Sequence, residues 1–376
     1  VTMVHGTWRD GFAEVRDVLA ANLESGLDVG ASVAVYLDGE PAVDVWGGYE
    51  DAARTRPWRR DTVTTVWSVT KTMTALCALI LADRGALRLD APVARYWPEF
   101  AAAGKDGVEV RHLLGHTAGL PDWDEPLAVE DLYDWDKATA LLARQAPWWT
   151  PGTASGYHAL TQGYLVGEVV RRVCGRSIGT FFAEEVAGPL GADFHLTLGP
   201  EQDHRFAPII PRERSASAAA PPPPVPLRTI VTPEDSWRAG WRRAEIPAVA
   251  GYGNARSVAA VQSVLAGGGA AGGRRLLSEA GARATLSVQA DGVDLVLGAP
   301  LRFGVGYGLN STDIDLLPNP DTCWWDGWGG SVVVADLDAR MCVAYVMNRM
   351  RAREYVIGDR RGTSVIAAAY RALGTR

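Results

Sequence analysis

Ser68 and Lys71 stand three residues apart in Ser68-Val69-Thr70-Lys71-Thr72-Met73 and open an apolar run. Residues at this spacing share one face of a helix, about 5–6 Å apart at Cβ, so both side chains can address one site. A serine hydroxyl attacks a carbonyl only when a base takes its proton. Lysine can be that base only if burial or neighbouring cations lower its pKa. Met73, Ala75, Leu76, Cys77, Leu79 and Ile80 would supply an apolar setting. The serine would lie at the helix N-terminus, where the positive end of the dipole favours a developing oxyanion. The chemistry within reach of this pair is acyl transfer through a serine ester.

Lysine is scarce in this chain. Of 37 basic residues among 376, only Lys71, Lys105 and Lys137 are lysine, and the other 34 are arginine. Arginine is the default cation, in keeping with a GC-rich genome. A position that keeps lysine points to an amine that must shed its proton, which arginine cannot do; chance placement is the bland alternative. Lys105, in a Gly-Lys-Asp-Gly turn, and Lys137, in an acidic stretch, read as ordinary surface residues.

Three further segments follow in order. They are His116-Thr117-Ala118-Gly119-Leu120-Pro121, then Pro151-Gly152-Thr153-Ala154-Ser155-Gly156-Tyr157-His158, then Trp325-Asp326-Gly327-Trp328-Gly329-Gly330-Ser331. With Ser-x-x-Lys they resemble the serine β-lactamase and penicillin-binding protein superfamily. The likeness is greatest to the branch holding class C β-lactamases, family VIII carboxylesterases and related acyltransferases, and it runs from about Gly11 to Arg376. It implies that Ser68 is the acylated nucleophile and Lys71 its partner amine. Tyr157 would shuttle protons between nucleophile and leaving group, its phenol pulled below the usual value near 10 by cationic or dipolar neighbours. The backbone N–H groups of Ser68 and Trp328 would form the oxyanion hole. His116 reads as a loop histidine that satisfies backbone groups.

Two departures bear on the substrate. β-Lactamases carry Asn two residues after this tyrosine, where Ala159 stands here. Their third motif begins with a lysine that attracts a carboxylate, where Trp325 stands here, followed by Asp326. A carboxylate at 326 would repel an anionic antibiotic. Both changes favour a neutral, apolar ester. Asp326 itself either binds a cationic or hydroxylated substrate or faces solvent. Trp67, Trp123, Trp148, Trp149, Trp325 and Trp328 are candidates for the pocket wall, with Asp326 and Gly327 also set to touch substrate.

The expected activity is a serine hydrolase cleaving small to medium carboxylic esters. The alternatives are an acyltransferase passing the acyl group to an alcohol or amine in natural-product biosynthesis, a β-lactamase or D,D-peptidase, and a non-catalytic binding protein. No cofactor or metal is implied. Gly175-Arg176-Ser177-Ile178-Gly179 fits the G-x-S-x-G elbow of α/β-hydrolases. That elbow needs a strand before the serine, and the preceding segment has helical periodicity, so Ser177 reads as a helix N-cap.

Composition narrows the setting. A net charge of −7 with no basic block argues against a nucleic-acid partner. No run of about 18 apolar residues suggests a membrane span. Val1 to Asp10 lacks the apolar core of a secretory signal. Cys77, Cys174, Cys323 and Cys342 form no metal cluster and read mostly as small buried hydrophobes, which suits a reducing cytoplasm. The implied partner is a small-molecule ester.

The elements that must position the motifs are legible. Glu14 to Ser25, Ser68 to Arg84, Thr161 to Val173, Ile178 to Val186, Asn254 to Ala266 and Ser364 to Leu373 read as helices. Ala31 to Tyr36 and Ala42 to Trp46 flank the hairpin signal Asp38-Gly39, and Ser331 to Ala335 with Met341 to Met347 give a second hairpin. Hairpins at both ends predict one antiparallel sheet built from both termini, in an α+β, β-lactamase-like fold. The expected division is a sheet domain of residues 1–100 and 248–376 and a helical domain of residues 101–247. The latter includes a Pro-rich surface loop at 218–226 and a ligand site at the seam.

Overall fold

Asp38 and Gly39 both adopt positive φ, 54° and 78°, the backbone a two-residue hairpin turn needs. They join β2 (Gly30–Leu37) to β3 (Glu40–Gly48) in a computed structural model that describes residues 3–212 and 224–374. β1 (Val4–Trp8) pairs with the outer edge of β3. From the second half of the chain come β4 (Ala290–Val293), β5 (Pro300–Phe303), β6 (Gly308–Leu309), β7 (Thr322–Asp326), β8 (Val332–Asp336) and β9 (Met341–Met347).

These nine strands form one antiparallel sheet in the order β1-β3-β2-β9-β8-β7-β6-β5-β4. The two chain halves meet where β9 pairs with β2, from Met341 opposite Leu37 to Met347 opposite Ala31. β9 is buried along its whole length, so its Val, Ala and Met side chains need cover on both faces. That cover comes from α5 (Ala255–Ala266) and α6 (Arg360–Ala372), and α1 (Ala13–Glu24) packs beside α6 over β2 and β3.

Between β3 and β4 lie α2 (Thr70–Asp83), α3 (Trp135–Arg144) and α4 (Thr161–Cys174), with long loops and short turns. α2 is buried from Thr70 to Leu81, against α4 among others. Its threonines are accommodated because each hydroxyl donates to a carbonyl: Thr70 to Trp67, Thr72 to Val69 and Thr74 to Pro247. A small sheet joins Val63–Thr65 to Phe206–Ala207 and Tyr252–Gly253, and holds the chain entering α2.

The structure moves several expected boundaries. The α-helix starts at Thr70, and Ser68 sits in a 3₁₀ turn, Trp67–Val69, ahead of it. The helix expected over Ile178 to Val186 is one α-turn, Ile178–Phe182, continued as a π-helical turn, Ala183–Ala187. Gly175 ends α4 in the left-handed conformation and Ser177 caps the next helix, accepting from the Thr180 N–H, as the spacing predicts. Most of the Pro-rich loop falls outside the described residues.

Lys105 corrects the sequence reading. It is fully buried, and its Nζ donates to the carbonyls of Ala102 (2.8 Å), Ala143 (3.1 Å) and Gln145. Its flexible stem folds back under the loop that follows α3, and burial pulls its amine down to about 8. Lys137 is a surface residue paired with Asp131 at 2.6 Å.

Candidate active site

The turn that carries Ser68 is under backbone constraint. Trp67 has a φ of 49°, a left-handed conformation that a bulky residue adopts only when held. Two ties hold it. Thr70 Oγ1 donates to the Trp67 carbonyl at 2.5 Å and accepts the Gly251 N–H at 2.8 Å. The Val66 N–H donates to the Gly251 carbonyl at 2.9 Å. Gly327 approaches from β7 so closely that a Cβ would lie 2.3 Å from the Val66 carbonyl oxygen. The glycine of the third motif thus lets the sheet press against the serine turn.

Three side chains converge there. The Tyr157 hydroxyl donates to Ser68 Oγ at 2.7 Å. Lys71 Nζ lies 3.3 Å from the same oxygen. Lys71 is fully buried, and its Nζ also reaches the carbonyls of Ala159 at 2.7 Å and Ala248 at 3.1 Å. No carboxylate is among these partners, and burial holds the amine well below its usual pKa.

Tyr157 departs from expectation. Burial of its phenol raises the pKa, outweighing the opposing hydrogen bond with Ser68. Tyr157 is therefore a protonated donor at neutral pH.

A shell that sequence reasoning missed fixes these groups. Asp294 is fully buried and its Oδ1 accepts three N–H groups, from Tyr157 (3.0 Å), Val296 (3.0 Å) and Leu297 (2.9 Å). His116 Nδ1 accepts the His158 N–H at 3.0 Å, and its ring stacks on Trp325 with centroids 5.5 Å apart. His158 donates from Nδ1 to the Gly156 carbonyl and accepts the Leu120 N–H at Nε2, 3.1 Å away. Burial drives both imidazoles to the neutral form, His158 down to about 4. No local pattern marks Asp294, or the carbonyls of Ala159 and Ala248, as parts of a site.

Ser68 and Trp328 border a pocket of about 430 Å³, largely lined by apolar side chains that include Leu160, Val249, Phe303 and Trp325. Among the described residues, no hydrogen bond occupies the backbone N–H of Ser68 or of Trp328. Trp328 follows β7, is 47% exposed, and sets its ring edge-on to Trp67 at 5.1 Å.

Three tryptophans expected in the pocket wall lie elsewhere. Trp123 is buried against Tyr164 and donates to the Ala138 carbonyl at 3.0 Å. Trp148 donates to Asp124 at 2.7 Å and lies under Arg228. Trp149 packs on Gly156, where a Cβ would meet its ring at 2.3 Å, and so shapes the turn before Tyr157. Each of these three donates its indole N–H away from the cavity, Trp149 to the Ala154 carbonyl at 3.0 Å. Trp67, Trp325, Asp326, Gly327 and Trp328 do line it. Asp326 does not face solvent. It is 8% exposed and paired with Arg353 at 2.5 Å, so its charge is compensated rather than presented to a ligand.

Comparisons with known proteins identify the family and the fold. The family model described as Beta-lactamase matches residues 17–367. The chain is 36% identical over 338 residues to Esterase/beta-lactamase LipL of Mycobacterium tuberculosis, covering 85% of this chain and 77% of that protein. A crystal structure of a family VIII carboxylesterase superposes with a TM-score of 0.91 at 42% identity, over 98% of this chain and all of the other. A penicillin-binding protein homologue from Caulobacter crescentus gives 0.88 at 37% identity, over 99% of this chain and all of the other. The chain belongs to the beta-lactamase family and has its fold.

Proposed function

From that membership we propose that the chain is a serine esterase that cleaves small to medium carboxylic esters through an acyl-enzyme on Ser68. The observation that carries this reading is the proton inventory at Lys71. A neutral amine has two N–H donors and one lone pair. Two carbonyls, of Ala159 and Ala248, lie within reach of Nζ, and the third near partner is Ser68 Oγ. With both N–H groups donated to the carbonyls, the lone pair faces the serine hydroxyl. Lys71 then takes the Ser68 proton as Oγ attacks the ester carbonyl.

The negative charge that develops on the carbonyl oxygen is met by the N–H groups of Ser68 and Trp328, with no reorganisation at the moment of reaction. In the tetrahedral intermediate Oγ is bonded to the acyl carbon and is a poorer acceptor. The Tyr157 hydroxyl then protonates the alkoxide oxygen as its bond to the acyl carbon breaks, and the Lys71 ammonium returns a proton to the phenol, leaving the acyl-enzyme ester. Water repeats the sequence in reverse and frees the acid.

The relatives' names support an ester substrate: LipL is named an esterase/beta-lactamase and the structural neighbour a carboxylesterase. The pocket's apolar lining suits uncharged acyl or alcohol groups. The test is a panel of p-nitrophenyl esters of varied acyl length, with wild type beside Ser68→Ala. Hydrolysis by wild type, abolished in the variant, is expected; equal activity in both would overturn the reading. Adding candidate alcohols separates hydrolysis from acyl transfer, since transfer yields a new ester instead of free acid.

A further inference from the structure

We propose that Asp326 is a positioning residue that, with Arg353, fastens the segment 351–358 as one wall of the pocket and thereby sets which esters fit. The proposal rests on the esterase reading for its kinetic half and on geometry alone for its structural half.

Asp326 ends β7, directly after Trp325 and before Gly327 and Trp328. Its Oδ1 accepts from Arg353 Nη2 at 2.5 Å, and its Oδ2 accepts the Gly358 N–H at 3.0 Å. These ties reach the segment near both ends. Within it, the Glu354 and Tyr355 N–H groups both donate to the Gly358 carbonyl, at 3.0 and 3.1 Å, and Arg353 Nη1 donates to the Val356 carbonyl at 2.7 Å. At its start the Arg351 N–H donates to the Gly329 carbonyl at 3.0 Å. The segment is thus a closed turn hung from the strand that carries the third motif.

Ile357 anchors the far end of the segment in the core and Glu354 pairs with Arg360 at 2.9 Å. Residues 352–355 are exposed, so apolar burial contributes little there, and the polar ties to Asp326 have large leverage over that stretch. The same segment contributes Arg351, Ala352, Arg353 and Gly358 to the pocket lining. A buried carboxylate without its partner is costly, so the pair stands or falls together. Asp326 binds no ligand directly in this account. It fixes a wall against which the ester is sorted.

The test compares wild type with Asp326→Ala, Asp326→Asn and Arg353→Met. Asparagine keeps an acceptor for the Gly358 N–H and loses the charge. Hydrogen exchange is read across the chain, and kcat and KM are read separately for p-nitrophenyl acetate and octanoate. In Asp326→Ala, amides of 351–358 are expected to exchange about tenfold faster or more, with the sheet unchanged. The octanoate-to-acetate ratio of kcat/KM is expected to shift about tenfold, mainly through the octanoate KM. Asp326→Asn should fall between wild type and alanine. If Asp326→Ala fails to fold, the half-exposed Arg353→Met gives the same two readouts. Unchanged exchange overturns the fastening, and faster exchange with an unchanged ratio overturns its role in selectivity. A wild type that cleaves no ester overturns the esterase reading and the selectivity with it, while exchange alone still judges the fastening.

Discussion

The carbonyl of Ala159 lies 2.7 Å from Lys71 Nζ, two residues past the tyrosine whose hydroxyl reaches Ser68. The position where β-lactamases place an asparagine side chain here offers its backbone to the lysine. Together with the Ala248 carbonyl it fixes the direction of the amine without a carboxylate that would hold it charged.

The base role proposed for Lys71 requires an amine that can be neutral. Lys71→Arg keeps a cation and removes the base, because a guanidinium does not give up its proton. The expected loss in kcat/KM is about 10³-fold or more, with the circular dichroism spectrum unchanged. A variant that keeps most of its rate would reduce Lys71 to electrostatic support.

The pH profile follows from the same two groups. Burial lowers the Lys71 pKa and raises that of Tyr157. The base is active when deprotonated, so kcat/KM should rise with pH through the lowered lysine value. The acid is active when protonated, so the tyrosine should impose no fall below about pH 10. A bell with an alkaline limb near neutrality that disappears in Tyr157→Phe would show the phenol titrating there and contradict the assignment.

Tyr157→Phe removes the donor to Ser68 Oγ and leaves the ring in place. It should lower kcat by about 10²- to 10⁴-fold with little change in KM or melting temperature, as measured by steady-state kinetics and calorimetry. A change confined to KM would make the hydroxyl a binding group.

Arg361 is fully buried and reaches Asp28 at 2.9 Å, Asp359 at 2.7 Å and the Gly329 carbonyl at 2.7 Å, beside Trp328. Arg361→Leu strands two buried carboxylates and frees the turn that carries Trp328, the proposed oxyanion donor. The expected destabilisation is about 3–5 kcal/mol by urea unfolding, with activity reduced even where the protein remains folded. A loss under 1 kcal/mol, about the worth of a surface pair, would show the cluster to be dispensable.

What the sequence could show depended on whether the signal was local. Ser68 and Lys71 declare themselves by spacing on one turn, and the Asp38-Gly39 hairpin by its turn chemistry. Tyr157 needed the likeness of its segment to a known motif. Asp294 and the carbonyls of Ala159 and Ala248 were invisible, since backbone groups carry no residue signal and Asp294 meets Tyr157 across 137 positions. Residue type marked six tryptophans as candidates for the pocket wall but not the direction each would take. Trp123, Trp148 and Trp149 went where their N–H groups found acceptors. Lys105 looked like a turn residue because nothing in Gly-Lys-Asp-Gly shows its stem folding inward onto three carbonyls. Asp326 was judged by its charge alone, while its partner stands 27 residues further on.

In the proposed mechanism Ser68 carries the acyl group. Intact-mass spectrometry after incubation with a fluorophosphonate, or with a slowly deacylating ester, tests it most directly, with peptide mapping to locate the adduct. One adduct per chain is expected, on Ser68, absent from Ser68→Ala and much slower to form in Lys71→Arg. An adduct on Ser177 or any other residue, or undiminished labelling of Ser68→Ala, would contradict it.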